Sequence, residues 1–155
     1  MDTHWLELKI PPLALVLLAA GCMWAVSAAL PGWRIDLPGT TTTSIALGAA
    51  GVVIALLGVG AFRSAGTTVD PRAPDRTEHL VTTGIYRFTR NPMYLGMLLL
   101  LLAWGVYVRS VPALALVPAF VLYMNLFQIA PEERHMRGKF GDTFTRYQSR
   151  VRRWL

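Results

Sequence analysis

Four long apolar runs, 13–30, 44–62, 93–108 and 111–130, contain no Asp, Glu, Lys, Arg or His, and every charged residue lies before, between or after them. At 1.5 Å rise per residue, about 18 helical residues cover roughly 27 Å, close to the hydrocarbon thickness of a bilayer. The pattern therefore predicts an all-α integral membrane protein with four transmembrane helices, one domain over residues 1–155, and a polar tail over 131–155. The breaks between runs carry helix punctuation. Pro11 and Pro12 enforce an extended lead into the first run, Pro31-Gly32 ends it, and Arg109-Ser110-Val111-Pro112 makes a tight hairpin between the last two. Asn91 is placed to cap the third helix with its side-chain oxygen, and Pro92 suits the first helical position, where no N–H is required. Pro131 is expected to reset the chain, with Glu132 and Glu133 in the first turn of a new helix, where acidic groups complement the helix dipole. In that tail Met136, Phe140, Phe144, Tyr147, Val151 and Trp154 recur every three or four residues. This spacing predicts an amphipathic helix lying on the bilayer, weakened as a straight rod by Gly138 and Gly141.

Composition agrees with that class: 54% of residues are hydrophobic and only 15% charged. The net charge of +6 raises the possibility of nucleic acid, but the distribution of the basic residues explains it without one. With a cytoplasmic N-terminus, Lys9, the five arginines Arg63, Arg72, Arg76, Arg87 and Arg90, and the seven basic residues of the tail all lie inside, leaving Arg34 and Arg109 outside. Positive residues in short loops set orientation, so both termini and the polar surface beside them are expected in the cytoplasm, the host membrane being a bacterial inner membrane. The lone Cys22 offers neither a disulfide nor a metal-ligand pair. Although Ala25-Val26-Ser27-Ala28-Ala29 has the small residues of a cleavage site, Asp2 and Glu7 precede the first run with only Lys9 in support, and it reads as a span rather than a removed leader.

Small residues crowd the second run (Gly48, Ala49, Ala50, Gly51, Gly58, Gly60, Ala61), which predicts close helix packing and suggests a lateral route for a lipid-soluble molecule along that face. Gly58-Val59-Gly60 lacks the strand and third glycine of a nucleotide fingerprint. The longest polar connection, Arg63 to Thr83, carries Asp75, Arg76, Glu78 and His79 and is long enough to fold over a site. His79 has no second histidine or cysteine at metal-binding spacing. Asn125 and Gln128 are the polar residues nearest the inner end of the fourth run, where they either bond between helices or face a cavity.

Two blocks of sequence carry more. The first is Gly84-x-Tyr86-x-x-x-Arg90-Asn91-Pro92-x-Tyr94-x-Gly96; the second runs from Pro131-Glu132-Glu133-Arg134-His135 through Phe140-Gly141 to Tyr147 and Arg150-Val151-Arg152-Arg153-Trp154. In order and spacing they resemble the isoprenylcysteine carboxyl methyltransferase and phospholipid methyltransferase group of integral membrane enzymes, over about half the chain. Asn91 stands where the prenylcysteine enzymes carry His before Pro. The resemblance implies methyl transfer from S-adenosylmethionine to a lipid-soluble or membrane-bound acceptor, such as a carboxylate or thiol. It implies cofactor contacts at Tyr86, Arg90, Asn91, Pro92, Tyr94, Gly96, Gln128, Glu132 and Glu133, with Glu133, Arg150 and Arg153 in the reaction and no metal. A capped helix N-terminus with Arg90 suits the cofactor's carboxylate, a glutamate its ammonium, and tyrosine rings its cation. Two alternatives remain open at this point, a phospholipid headgroup N-methyltransferase and a non-enzymatic membrane scaffold. A proton-coupled small transporter is disfavoured, because all nine acidic residues lie outside the four runs.

Overall fold

The computed structural model describes residues 6–66 and 79–155, so Trp5 and the part of the long connection that holds Asp75, Arg76 and Glu78 lie outside the described residues. Helix α1 spans Pro12–Ala29, α2 Thr40–Ser64 and α3 Pro92–Tyr107. After the hairpin come α4 (Val111–Leu114), α5 (Leu116–Tyr123), a π-turn over Met124–Ile129, and α6 (Ala130–Arg150). Short 3₁₀ turns at Pro31–Trp33 and Gly84–Arg87 complete the described elements, with no strand among them. Three helical stretches are long and apolar enough to cross a membrane: α1, α2 and the continuous run that begins at Val111. The fourth, α3, is a shorter apolar helix of 16 residues.

Helix α3 is the centre of the packing. It meets α2 along one side, and α1 and α5 along the other. The core joins Val16 and Met23 of α1, Tyr94 and Leu101 of α3, and Ala113, Val117, Phe120, Met124 and Ile129 of the last run. Large apolar side chains of α1 and α2 point the other way: Leu17, Leu18, Ile45, Val53, Leu56 and Leu57 are all exposed. In α2 the buried positions are Ser44, Gly51 and Gly58. Small residues inside and leucines outside is the arrangement expected where lipid, not water, surrounds the helices.

The α2–α3 contact is closed backbone to backbone. A Cβ added at Gly96 would lie 2.5 Å from the Gly51 carbonyl oxygen and 2.8 Å from Cβ of Ala55; one added at Gly58 would lie 3.1 Å from Cγ of Pro92. The lateral route expected along this face is therefore filled by helix packing at Gly51 and Gly58, while Gly60 faces open space.

Pro131 does not break the last run. Lacking an N–H, it leaves the carbonyl of Phe127 four residues back without its helical donor, and that oxygen instead accepts from the backbone N–H of Leu8 at 3.0 Å. The π-turn immediately before Pro131 loosens the helix where this outside donor reaches in. The helix does bend at Gly141, whose φ of 52° and ψ of −127° are outside the helical region and suit glycine. At the opposite end, Arg34 bridges to Ser110, and Ile35 donates to the Arg109 carbonyl at 2.9 Å, so the two basic residues set apart by the charge pattern lie together.

Candidate active site

Residues 89–91 enter α3 just as the last residues of the chain return beneath it. The Arg90 N–H donates to the Arg152 carbonyl at 3.0 Å, the Thr89 hydroxyl to the Arg153 carbonyl at 3.3 Å, and the Asn91 side-chain amide to that same carbonyl at 2.9 Å. Asn91 thus stands at the cap position of α3, but its side chain does not cap the helix. The expected capping bond is replaced because the tail places a carbonyl within reach, and the Asn91 N–H is itself taken by the Thr89 hydroxyl at 3.1 Å.

The Arg90 guanidinium reaches three partners: Oε1 of Glu133 at 2.7 Å, the Gln148 carbonyl at 3.1 Å and the Val151 carbonyl. Arg153 approaches the same carboxylate, donating to Oε2 at 2.6 Å and Oε1 at 3.2 Å. Glu133 therefore sits between two guanidiniums. Burial alone would raise its pKa, but the hydrogen bonds and charges of Arg153 and Arg90 outweigh burial and hold it below the usual carboxylate range. One carboxylate against two arginines leaves the cluster with one unit of positive charge.

Glu132 is in a different setting. Its Oε1 accepts from the Tyr94 hydroxyl at 2.6 Å and from the Gln128 amide at 2.6 Å, and the Gln128 amide also lies 3.3 Å from the Tyr94 oxygen. Its Oε2 has no hydrogen-bond donor among the described residues. The group lies past the last apolar run, and burial lifts its pKa to about 7; the bonds from Tyr94 and Gln128 oppose that rise, and the Glu133 charge adds to it.

Of the residues expected at the site, Arg90, Asn91, Tyr94, Gln128, Glu132, Glu133 and Arg153 are drawn into these two linked networks. Asn125 joins them, its side-chain oxygen accepting from Arg153 at 3.4 Å and from the Trp154 indole at 3.1 Å. Pro92 is buried beneath, against α2. Gly96 is turned toward α2, and Tyr86 is buried edge-on against Phe62, with its carbonyl accepting from the Tyr147 hydroxyl at 2.7 Å. Arg150 lies apart, lining a surface cleft with Arg87 and Arg146. Sequence reasoning missed Thr89 and the backbone carbonyls of Gln148, Val151, Arg152 and Arg153. Carbonyls carry no residue-type signal, and Thr89 acts only because the tail folds back on it.

The sequence profile of the phospholipid methyltransferase family matches residues 40–143, from the start of α2 into α6 and about two thirds of the chain. An uncharacterised protein of Haemophilus influenzae is 49% identical over 63 residues, 41% of this chain and the whole of that protein. No solved structure matches the chain. The chain belongs to the phospholipid methyltransferase family of membrane methyltransferases.

Proposed function

We propose that this protein transfers the methyl group of S-adenosylmethionine to a lipid-soluble or membrane-associated acceptor, a carboxylate or thiol being the first candidates. The observation that carries the reading is the convergence of the two motif blocks on one polar cluster, through Arg90, Glu133 and Arg153 on one side and Tyr94, Gln128 and Glu132 on the other. The donor set fits an amino-acid zwitterion. The surplus positive charge of Arg90 and Arg153 suits a carboxylate, and the unpartnered Oε2 of Glu132 suits an ammonium through a charge-assisted bond. When bound, S-adenosylmethionine supplies an activated methyl group. The protein's own contribution is to hold the donor's amino-acid end and to align and desolvate the acceptor, since an in-line displacement needs no further group. In this reading four helices span the bilayer, α6 lies along its surface, and the cluster and both termini face the cytoplasm of a bacterium, with Arg150 or Arg153 toward an anionic acceptor.

A second reading, methylation of a phospholipid headgroup amine, is favoured by the family description and by Glu132, whose pKa near neutrality suits accepting the proton an amine must release. Incubating purified protein with methyl-labelled S-adenosylmethionine and total membrane lipids, alongside a thiol and carboxylate panel, separates the readings. Label in an O- or S-methyl product supports the first, and label in a headgroup amine the second. No labelled product from lipids or panel, by protein shown to be folded, would favour a non-enzymatic scaffold.

A further inference from the structure

Beside the polar cluster, and not part of it, lies a surface cleft of about 480 Å³ lined by Thr82, Arg87, Thr143, Arg146, Tyr147, Arg150 and Val151. Its walls come from two places in the chain, the 82–87 segment and the outer part of α6 after the bend at Gly141. Three guanidiniums share this opening, and none is paired with a carboxylate among the described residues. Elsewhere Arg90 and Arg153 pair with Glu133, Arg109 with Asp36 and Arg134 with Glu7. Three like charges held around one cleft repel each other, and an anion placed among them removes that cost. Two threonine hydroxyls on the rim add donors, whereas the Tyr147 hydroxyl is committed to Tyr86 and serves as wall.

We propose that this cleft binds the phosphate group of a membrane lipid headgroup. Arginine forks match phosphate oxygens in charge and geometry, and three of them with two hydroxyls suit a tetrahedral anion better than a planar carboxylate. The lipid source is argued from position. Phe88, next to Arg87, is 72% exposed, and the cleft lies at the same end as the start of α3 and the close of the last apolar run, where headgroups meet the protein. Val151 links the cleft to the neighbouring cluster, since it lines the cleft and its carbonyl accepts from Arg90. Arg150 is common to this cleft and to the acceptor side of the methyl-transfer reading, but lipid binding is read without a methyl donor, so either reading can fail alone.

The test uses the full chain purified in a phosphate-free neutral detergent. Short-chain dihexanoyl phosphatidylglycerol, inorganic phosphate, and dihexanoylglycerol lacking the phosphate are each titrated by calorimetry. The lipid is expected to bind at one site and to weaken by about tenfold or more in the triple variant Arg87→Gln, Arg146→Gln, Arg150→Gln. A matched triple outside the cleft, Arg34→Gln, Arg137→Gln, Arg152→Gln, removes the same charge and should bind as the parent does. Equal weakening in both triples would reduce the effect to general surface charge and overturn the proposal, as would unchanged binding in the first triple or equal binding of the phosphate-free lipid. Inorganic phosphate should bind more weakly than the lipid; equal affinity would assign the cleft to the free anion and overturn the lipid source. Should the cleft triple fail to fold, the single variants Arg87→Gln and Arg150→Gln are each expected to weaken binding severalfold, and parent-like affinity in both would overturn the proposal.

Discussion

The Tyr94 hydroxyl donates to Glu132 at 2.6 Å, joining the third residue of one helix to the third residue of another that lies 38 positions further along the chain. This bond ties the two motif blocks together and bears on the charge of Glu132. Burial holds that carboxyl up to about pH 7, and Tyr94 and Gln128 are among the influences that restrain the rise. Tyr94→Phe removes one restraint, so the pKa should move further up. Binding of S-adenosylmethionine, if it needs the ionised carboxylate, should weaken as pH falls through about 7 in the parent and begin to weaken at higher pH in Tyr94→Phe. Calorimetric titration between pH 5.5 and 8.5 checks this, and a flat profile in both proteins would remove Glu132 from the site. The same shift has a stability consequence. The folded protein keeps this proton above the pH at which the unfolded chain releases it, so the contribution is full below about 4.5 and is lost as pH rises through about 7.

Helix packing gives a second expectation. Gly96→Ala puts a methyl group against the Gly51 carbonyl and Ala55, where backbone atoms cannot yield, and should destabilise the protein by about 1–3 kcal/mol. Gly60→Ala meets nothing within 4 Å in the middle of a helix and should be neutral or stabilising by up to about 1 kcal/mol. Thermal unfolding in one detergent compares the two. Equal behaviour would mean that α2 and α3 are not packed as described.

The exposed ion pair between Arg109 and Asp36 contrasts with the one at Glu133. The former joins side chains that are 43% and 79% exposed, so Arg109→Ala should cost under about 1 kcal/mol. In the latter, Glu133→Gln leaves two guanidiniums facing each other and loosens the return of the tail, at a cost on the order of 1–3 kcal/mol. Limited proteolysis near the C-terminus should accelerate in Glu133→Gln and not in Arg109→Ala.

Orientation is read most simply by labelling. A cysteine at Thr42, at the start of α2 and in the same connection as Arg34, should react with an impermeant reagent from outside intact cells, and one at Ser149 in α6 should not. Both substitutions are made in a background with Cys22 replaced. The opposite pattern would turn the proposed site away from the cytoplasm.

Helix ends were largely legible in the sequence because proline and charge mark them. The runs 13–30 and 93–108 each fall one residue from α1 and α3, and the small residues Gly51 and Gly58 do face inward. What sequence did not reveal depends on where distant backbone goes. Pro131 looked like a break because its missing donor is visible, whereas the compensating donor, the Leu8 N–H, is 119 positions away from its acceptor Phe127. Asn91 looked like a cap for the same reason: the local helix end is readable and the competing Arg153 carbonyl is not. Both motif blocks could be read as chemistry, but residue types alone did not separate Arg153, drawn to Glu133, from Arg150, which faces the neighbouring cleft.

Whether the cluster around Glu133 holds the methyl donor, as proposed, is read directly by calorimetric titration of S-adenosylmethionine into four folded proteins. The parent should bind; Arg90→Ala and Glu133→Gln should each bind about tenfold more weakly or worse, since each removes a charge-assisted partner of the cluster, while Arg109→Ala at the opposite end should match the parent. The same affinity in all four proteins, or no binding by the folded parent, would mean that this cluster does not hold the methyl donor.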